Sequence, residues 1–178
     1  CTAPTVACTP AGLCLDASGQ ATLNPNQIND GVADACDQSL SLSVSPSSFS
    51  CSDIGDQSVT LTATDDNGNA ASCQTIVSIE DCTAPSAVCQ DITVCLNAFG
   101  QYTLTPAGLD GGSTDNCDAT LSLSTSVTTF SCNDLGQQSV LLTAIDDNGN
   151  SDTCFASVTV TDCTPPTALC KDDTACLG

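Results

Sequence analysis

The sequence contains no histidine, no tryptophan and no methionine, and Lys171 is the one basic residue among 178. Each gap closes off some chemistry. Without histidine, neither a Ser–His–Asp set nor a Cys–His pair can be assembled, and imidazole-based zinc sites are excluded. With 21 acidic residues against one base, the formal charge is −20. Such a chain repels phosphates, so nucleic acid and anionic membrane surfaces are poor partners. Four Phe and one Tyr are too few to form an aromatic pocket. No apolar run is long enough for membrane insertion and no leader peptide is evident, so the chain reads as a mature, soluble segment. There is no N-x-S/T sequon, hence no encoded N-glycosylation, while 45 Ser and Thr leave O-glycans open. No stretch carries the 3.6-residue period of a helix.

What the chain does have is a repeat. The phrase "CTAPTVAC" at 1–8 returns as "CTAPSAVC" at 82–89 and as "CTPPTALC" at 163–170. Residues 1–81 and 82–162 agree at 41 of 81 positions without a gap. Cys1, Cys8, Cys14, Cys36, Cys51 and Cys73 all recur 81 positions later. Residues 163–178 repeat the start of the unit, including Cys163, Cys170 and Cys176. A long fixed period is the mark of an array. The expected organisation is repeat one (1–81), repeat two (82–162) and the start of a third (163–178), which is truncated or donates a strand. The chain then reads as a window on a longer parent of the same repeat, or as a self-associating subunit.

Fifteen cysteines with no C-x-x-C pair and no histidine point to disulfides, and so to an extracellular or cell-surface location. An 81-residue unit buries little surface and needs such staples. The apolar pattern has period two: "LSLSV" at 40–44 and "VTLTAT" at 59–64 alternate with Ser and Thr. Turn signals such as "NAFG", "NDLG" and "DDNG" separate the runs. In repeat two this predicts about seven strands, near 86–90, 92–97, 101–105, 119–125, 127–131, 139–145 and 154–161. The expected fold is all-β, tandem immunoglobulin-like sandwiches, disulfide-stapled.

The alternation also orients the cysteines. Cys154 shares a face with Ala156, Val158 and Val160, and Cys89 with Ala87. First and last strands lie close in such sandwiches, which predicts Cys89–Cys154 and its copy Cys8–Cys73. Cys117 and Cys132 flank a segment read as running out and back, which predicts Cys117–Cys132 and Cys36–Cys51. Ile92, Val94 and Leu96 share a face that turns Cys95 outward. If 92–97 runs parallel to the last strand, Cys95 meets the next unit, giving Cys95–Cys163 and Cys14–Cys82. The alternative is Cys82–Cys95 within one unit. Cys1, Cys170 and Cys176 are left without assigned partners.

The block "PSAVCQDITVCLNAFGQYTL … GGSTDNC … TFSCNDLGQQSVLLTAIDDNGNSDTCFASVTVTD" resembles the HYR-like and related immunoglobulin-like repeats of secreted bacterial proteins, frequent in Bacteroidota. The resemblance covers essentially the whole chain. "V-x-L-T-A-x-D-D-N-G-N-x-x-x-C" is its most specific part, and Cys82 and Cys95 with their copies depart from it. It implies adhesive or structural stalk modules with no catalytic residues. It also makes "DTA" at 173–175 a candidate O-glycosylation signal at Thr174.

"DDNGN" has two readings. Asn-Gly between alternating strands is a hairpin signal. The turn is the first reading; the oxygen-rich Asp65, Asp66, Asn67 and Asn69, with Asp146, Asp147, Asn148 and Asn150, are secondarily a candidate Ca²⁺ set, Ca²⁺ being the one cofactor considered. Asp81 and Asp162 are lesser candidates. Paired carboxylates without a basic partner read as solvated turn residues, so no enzyme is expected. The first functional expectation is a structural module of an extracellular filament, fibril or stalk with disulfide-reinforced junctions. The alternative is an adhesin-type module binding glycan or protein, with Phe99 and Tyr102 as its exposed aromatics.

Overall fold

The computed structural model describes residues 2–37 and 39–168. Thr174, Cys1, Cys170, Cys176 and most of the third-repeat start lie outside the described residues. The first repeat contributes β1 (Thr5–Cys8), β2 (Ala11–Leu15), β3 (Gln20–Thr22), β4 (Asn29–Ala33), β5 (Ser41–Ser45), β6 (Ser48–Ser50), β7 (Gly55–Thr64) and β8 (Ala70–Asp81). The second contributes β9 (Ile92–Leu96), β10 (Gln101–Thr103), β11 (Ser122–Thr125), β12 (Thr129–Ser131), β13 (Gly136–Ile145) and β14 (Ser151–Asp162). The described residues form an all-β, immunoglobulin-like sandwich architecture stapled by five disulfides. Helical structure among them is confined to short 3₁₀ turns.

Each repeat builds a four-stranded sheet of the same order, β2–β8–β7–β5 and β9–β14–β13–β11. In both, the first strand runs parallel to the last: Leu13 lies opposite Ile79, and Cys95 opposite Thr161. Smaller antiparallel pairs face these sheets, β1–β4 and β3–β6 in the first repeat and β10–β12 in the second. The strand expected near 86–90 is reduced to two isolated bridges, Ser86 to Thr114 and Cys89 to Asp110. The cause is local. Where the first repeat places "NDGVA" in β4, the second has "DGGST", and paired glycines weaken a strand.

Alternation places one side of every strand in a core. Val59, Leu61 and Ala63 of β7 and Val77 and Ile79 of β8 are fully buried. All of these but Ala63 pack with Leu15, Leu23, Ile28 and Phe49. Val140, Leu142, Val158 and Val160 do the same in the second core, with Leu104, Leu109 and Phe130.

The chain divides into two compact units whose limits depart from the 81-residue period. Unit 1 is the described residues up to Ser86 together with Ser113–Ser122 and Ala144–Asp152. Unit 2 is Ala87–Gly112, Leu123–Thr143 and the described residues from Thr153. Two second-repeat loops therefore belong with the first repeat, and covalent and polar ties explain why. Cys117 is bonded to Cys51, and the Asn116 and Asn150 side-chain amides donate to the Asp16 and Asp81 carbonyls at 3.1 and 3.0 Å.

Among the described residues the disulfides are Cys8–Cys73, Cys14–Cys82, Cys51–Cys117, Cys89–Cys154 and Cys95–Cys163. The expected Cys36–Cys51 and Cys117–Cys132 bridges do not form; Cys36 and Cys132 are exposed free thiols. The segment between Cys36 and Cys51 does not fold back on itself. Its β5 pairs with β7, while its β6 crosses to pair with β3. That crossing carries the Cys51 sulfur to within 3.7 Å of the Gly19 carbonyl and 3.5 Å of the Asn116 carbonyl, where Cys117 meets it. Cys36 stays outside, in a turn held by the Asp34 carboxylate, which accepts from the Cys36 and Asp37 amides at 2.8 and 3.0 Å.

Candidate metal centre

The alternation that buries Val77 and Ile79 also buries the residue two further on. Asp81, the last of β8, is only 4% exposed. Its Oδ1 accepts from the Thr83 amide at 3.0 Å and from Asn116 Nδ2 at 3.4 Å. Its Oδ2 is buried with no hydrogen-bond partner. The same logic acts in β13: Val140, Leu142 and Ala144 point inward, and Asp146 follows them, 5% exposed. Asp146 is held by the Asn150 amide at 2.7 Å and by Asn150 Nδ2 at 2.8 Å.

The remaining carboxylates come from the "DNCD" turn. Asp115 Oδ2 accepts from the Cys117 and Asp118 amides at 2.8 and 3.1 Å, the pattern of an Asx turn. Asp115 Oδ1 is buried and unpartnered, as is Asn116 Oδ1. Asp118 Oδ2 accepts from the Asp147 amide at 3.0 Å, which ties this turn to the β13–β14 hairpin. One carboxylate oxygen from each of Asp81, Asp115, Asp118 and Asp146 lies within 4.8 Å of the others. All four residues belong to unit 1. Two carboxylates so close repel by about 3 kcal/mol at an effective dielectric of about 20. No Lys, Arg or His among the described residues offsets that repulsion.

The expected Ca²⁺ set is only partly brought together. Asp65 closes its own loop: Oδ1 accepts from the Asn67 and Asn69 amides, and Oδ2 from Asn69 Nδ2 at 2.7 Å. The Asn69 side chain, followed by the backbone amides, holds the Asp65 carboxyl below its ordinary range. Asn69 therefore aims a donor at Asp65, and Asp66 and Asn67 are exposed. The turn spans five residues, with Thr64 paired to Ala70, and Gly68 alone takes a positive φ of 86°. In the second repeat Asp146 enters the cluster with Asn150 as its support, while Asp147 and Asn148 are exposed. Asp162, the copy of Asp81, is also exposed. Asp115 and Asp118 escaped the sequence reading. Their signal was the Asp-x-Cys-Asp motif present in both repeats, as "DACD" and "DNCD". Asp34 and Asp37 occupy the same turn in the first repeat, and Asp34 Oδ2 is likewise buried without a partner.

No protein-family model and no curated protein sequence matches the chain. Solved structures show similar folds. Domains EC1–2 of human protocadherin-24 are similar over 90% of this chain and 99% of that one, at 13% identity and a TM-score of 0.46. Domains EC1–4 of Drosophila N-cadherin are similar over 90% of this chain and 50% of that one, at 14% identity and a TM-score of 0.45. Immunoglobulin domains 1–4 of Sidekick-1 are similar over 87% and 50%, at 12% identity and a TM-score of 0.29. The likeness lies in the all-β architecture. Among the described residues no helix is long and apolar enough to cross a membrane, and five disulfides belong to an oxidising compartment.

Proposed function

We propose that the chain is a structural module of an extracellular, cell-surface filament or stalk in which disulfides run from repeat to repeat. The observation that carries this reading is the Cys51–Cys117 bridge. It joins the fifth cysteine of one repeat to the fourth of the next. Cys132 and Cys36 are the same two positions left over, one in each repeat, and both are exposed thiols. Their surroundings are duplicated as well. Cys51 Sγ lies against Gly19, and Cys132 Sγ lies 3.8 Å from the carbonyl of Gly100, the copy of Gly19. The geometry that receives Cys117 is thus built a second time around Cys132, where the fourth cysteine of a following repeat or copy would enter. Closing that bridge takes two thiols to a disulfide and passes two electrons and two protons to a disulfide oxidant. Cys14–Cys82 and Cys95–Cys163 support the same role, since each ties a β-strand to the first cysteine of the next repeat. The reading includes O-glycans on exposed Ser and Thr and assigns no catalysis.

The test is the intact mass of the native assembly before and after reduction, with disulfide mapping. Cys132–Cys36 peptides, or bridges of that kind along one very long chain, are the expected result. Native subunits carrying unmodified Cys36 and Cys132 thiols would overturn the reading. A binding role is the second reading, favoured by Phe99 and Phe155, which are 88% and 72% exposed. Tyr102, expected beside Phe99 as an exposed aromatic, instead packs half-buried against the core.

A further inference from the structure

We propose that Asp81, Asp115, Asp118 and Asp146 form a Ca²⁺ site. The cluster supplies four formal negative charges on hard oxygen ligands, one oxygen from each residue lying within 4.8 Å of the rest. Oxygens on opposite sides of a Ca²⁺ ion stand about 4.6–5.2 Å apart, so a set of this spread fits one coordination shell. Proximity alone would not make a site, because acidic turns are common on so acidic a chain. The independent observation is the state of Asp81. It is 96% shielded by the fold, yet its Oδ2 receives no hydrogen bond. A buried carboxylate oxygen with no donor is a costly arrangement unless a cation satisfies it. Asp115 Oδ1 is in the same condition. The other oxygens of both residues are already engaged, and those bonds aim the side chains. Asp81 Oδ1 is fixed by Thr83 and Asn116, and Asp115 Oδ2 by Cys117 and Asp118. The unpartnered oxygens are therefore preset acceptors.

The donor set also selects the ion. No histidine exists in the chain, and Cys117 is consumed in a disulfide, so the ligands are all oxygen and do not favour zinc. Four carboxylates favour Ca²⁺ over Mg²⁺, which keeps most of its waters and uses one or two carboxylates. Bound there, the ion joins the end of β8 to the 113–122 and 144–152 loops within unit 1. It is thus a second tie for the loops that Cys51–Cys117 already anchors.

The test is calorimetric titration of the disulfide-intact, chelator-treated chain with CaCl₂ and separately with MgCl₂, alongside thermal unfolding with and without Ca²⁺. Expected are a saturable Ca²⁺ site, an unfolding midpoint raised by Ca²⁺, and weaker Mg²⁺ binding. Asp81→Asn, or Asp118→Asn should Asp81→Asn fail to fold, should weaken Ca²⁺ at least about tenfold, since the ligand charge count sets affinity. Asp56→Asn, an exposed control, should leave it unchanged. No saturable heat and no midpoint shift at about 10 mM Ca²⁺, weaker than extracellular modules bind, would overturn the site. So would Asp81→Asn and Asp118→Asn binding like the unaltered chain, or equal affinity for Mg²⁺.

Discussion

Gly19 and Gly100 provide a matched pair of perturbations, because the repeat builds the same backbone around two different sulfurs. Both glycines sit in the left-handed region, at φ of 69° and 70°. Alanine at either position pays the left-handed cost of about 1–2 kcal/mol. The new methyl then meets different neighbours. At Gly19 a Cβ would lie 2.5 Å from Cys51 Sγ and 3.3 Å from the Asn116 carbonyl oxygen. Cys51 is tied to Cys117 and cannot turn its sulfur aside. At Gly100 the Cβ would lie 2.6 Å from Cys132 Sγ, but that sulfur is an exposed free thiol with other rotamers open to it. Gly100→Ala should therefore show the backbone term alone. Gly19→Ala should lose a further 1–3 kcal/mol, roughly the penalty of overpacking a fixed site, or should leave the bridge unclosed. Urea unfolding under non-reducing conditions reads the first outcome, each variant being referred to the transition of its own unit. Thiol titration in denaturant reads the second, as two additional free thiols. Equal destabilisation by the two variants, with no added thiols, would refute the reasoning.

Three further outcomes follow from the same geometry. Cys51→Ser should destabilise unit 1 by about 2–4 kcal/mol in urea, the range for bridges of this kind, and should expose the 113–122 loop to proteolysis. Leu61→Ala, at a fully buried position of the central strand β7, should cost about 2–5 kcal/mol, and Leu142→Ala should do the same to the second core, each measured by its own unfolding transition. The Asp65 carboxyl titrates below its ordinary value of 3.8, first because Asn69 donates to it. A lowered folded-state value adds stability that is present above the unfolded value and is lost as pH falls through the folded one. Acid unfolding followed by circular dichroism should therefore begin at higher pH in Asn69→Ala, and an unchanged acid midpoint would count against that role.

The strands and their buried faces were legible in the residues, since period-two alternation in β7, β8, β13 and β14 is a local property. The outward turn of Cys95 followed from Val94 and Leu96 pointing in, and the structure buries those two while leaving Cys95 exposed. The strand near 86–90 was overestimated because its partner segment carries Gly111 and Gly112, a cross-strand effect that the segment's own sequence does not record. Phe155 lies on the face opposite Cys154, Ala156 and Val158 and is exposed, a position the alternation carries although only Phe99 and Tyr102 are read from the sequence as exposed aromatics. The "DDNG" turn does join β7 to β8 as a hairpin, but without the positive φ at Asn that an Asn-Gly hairpin signal favours. Asn67 stays at negative φ, and the Asp65 carboxylate closes a five-residue turn instead.

The sequence by itself determined the period, the strand faces, the oxidising compartment and the absence of histidine and cationic chemistry, because composition and alternation act over a few residues. Only the tertiary structure decided which sulfurs meet and which carboxylates converge. Cys51 reaches Cys117 because β6 crosses to β3, and Asp81 reaches Asp115, Asp118 and Asp146 because loops of the second repeat fold onto unit 1. Those partners lie between 34 and 66 positions apart along the chain, a separation that no local pattern encodes and that long-range strand pairing and packing alone can close.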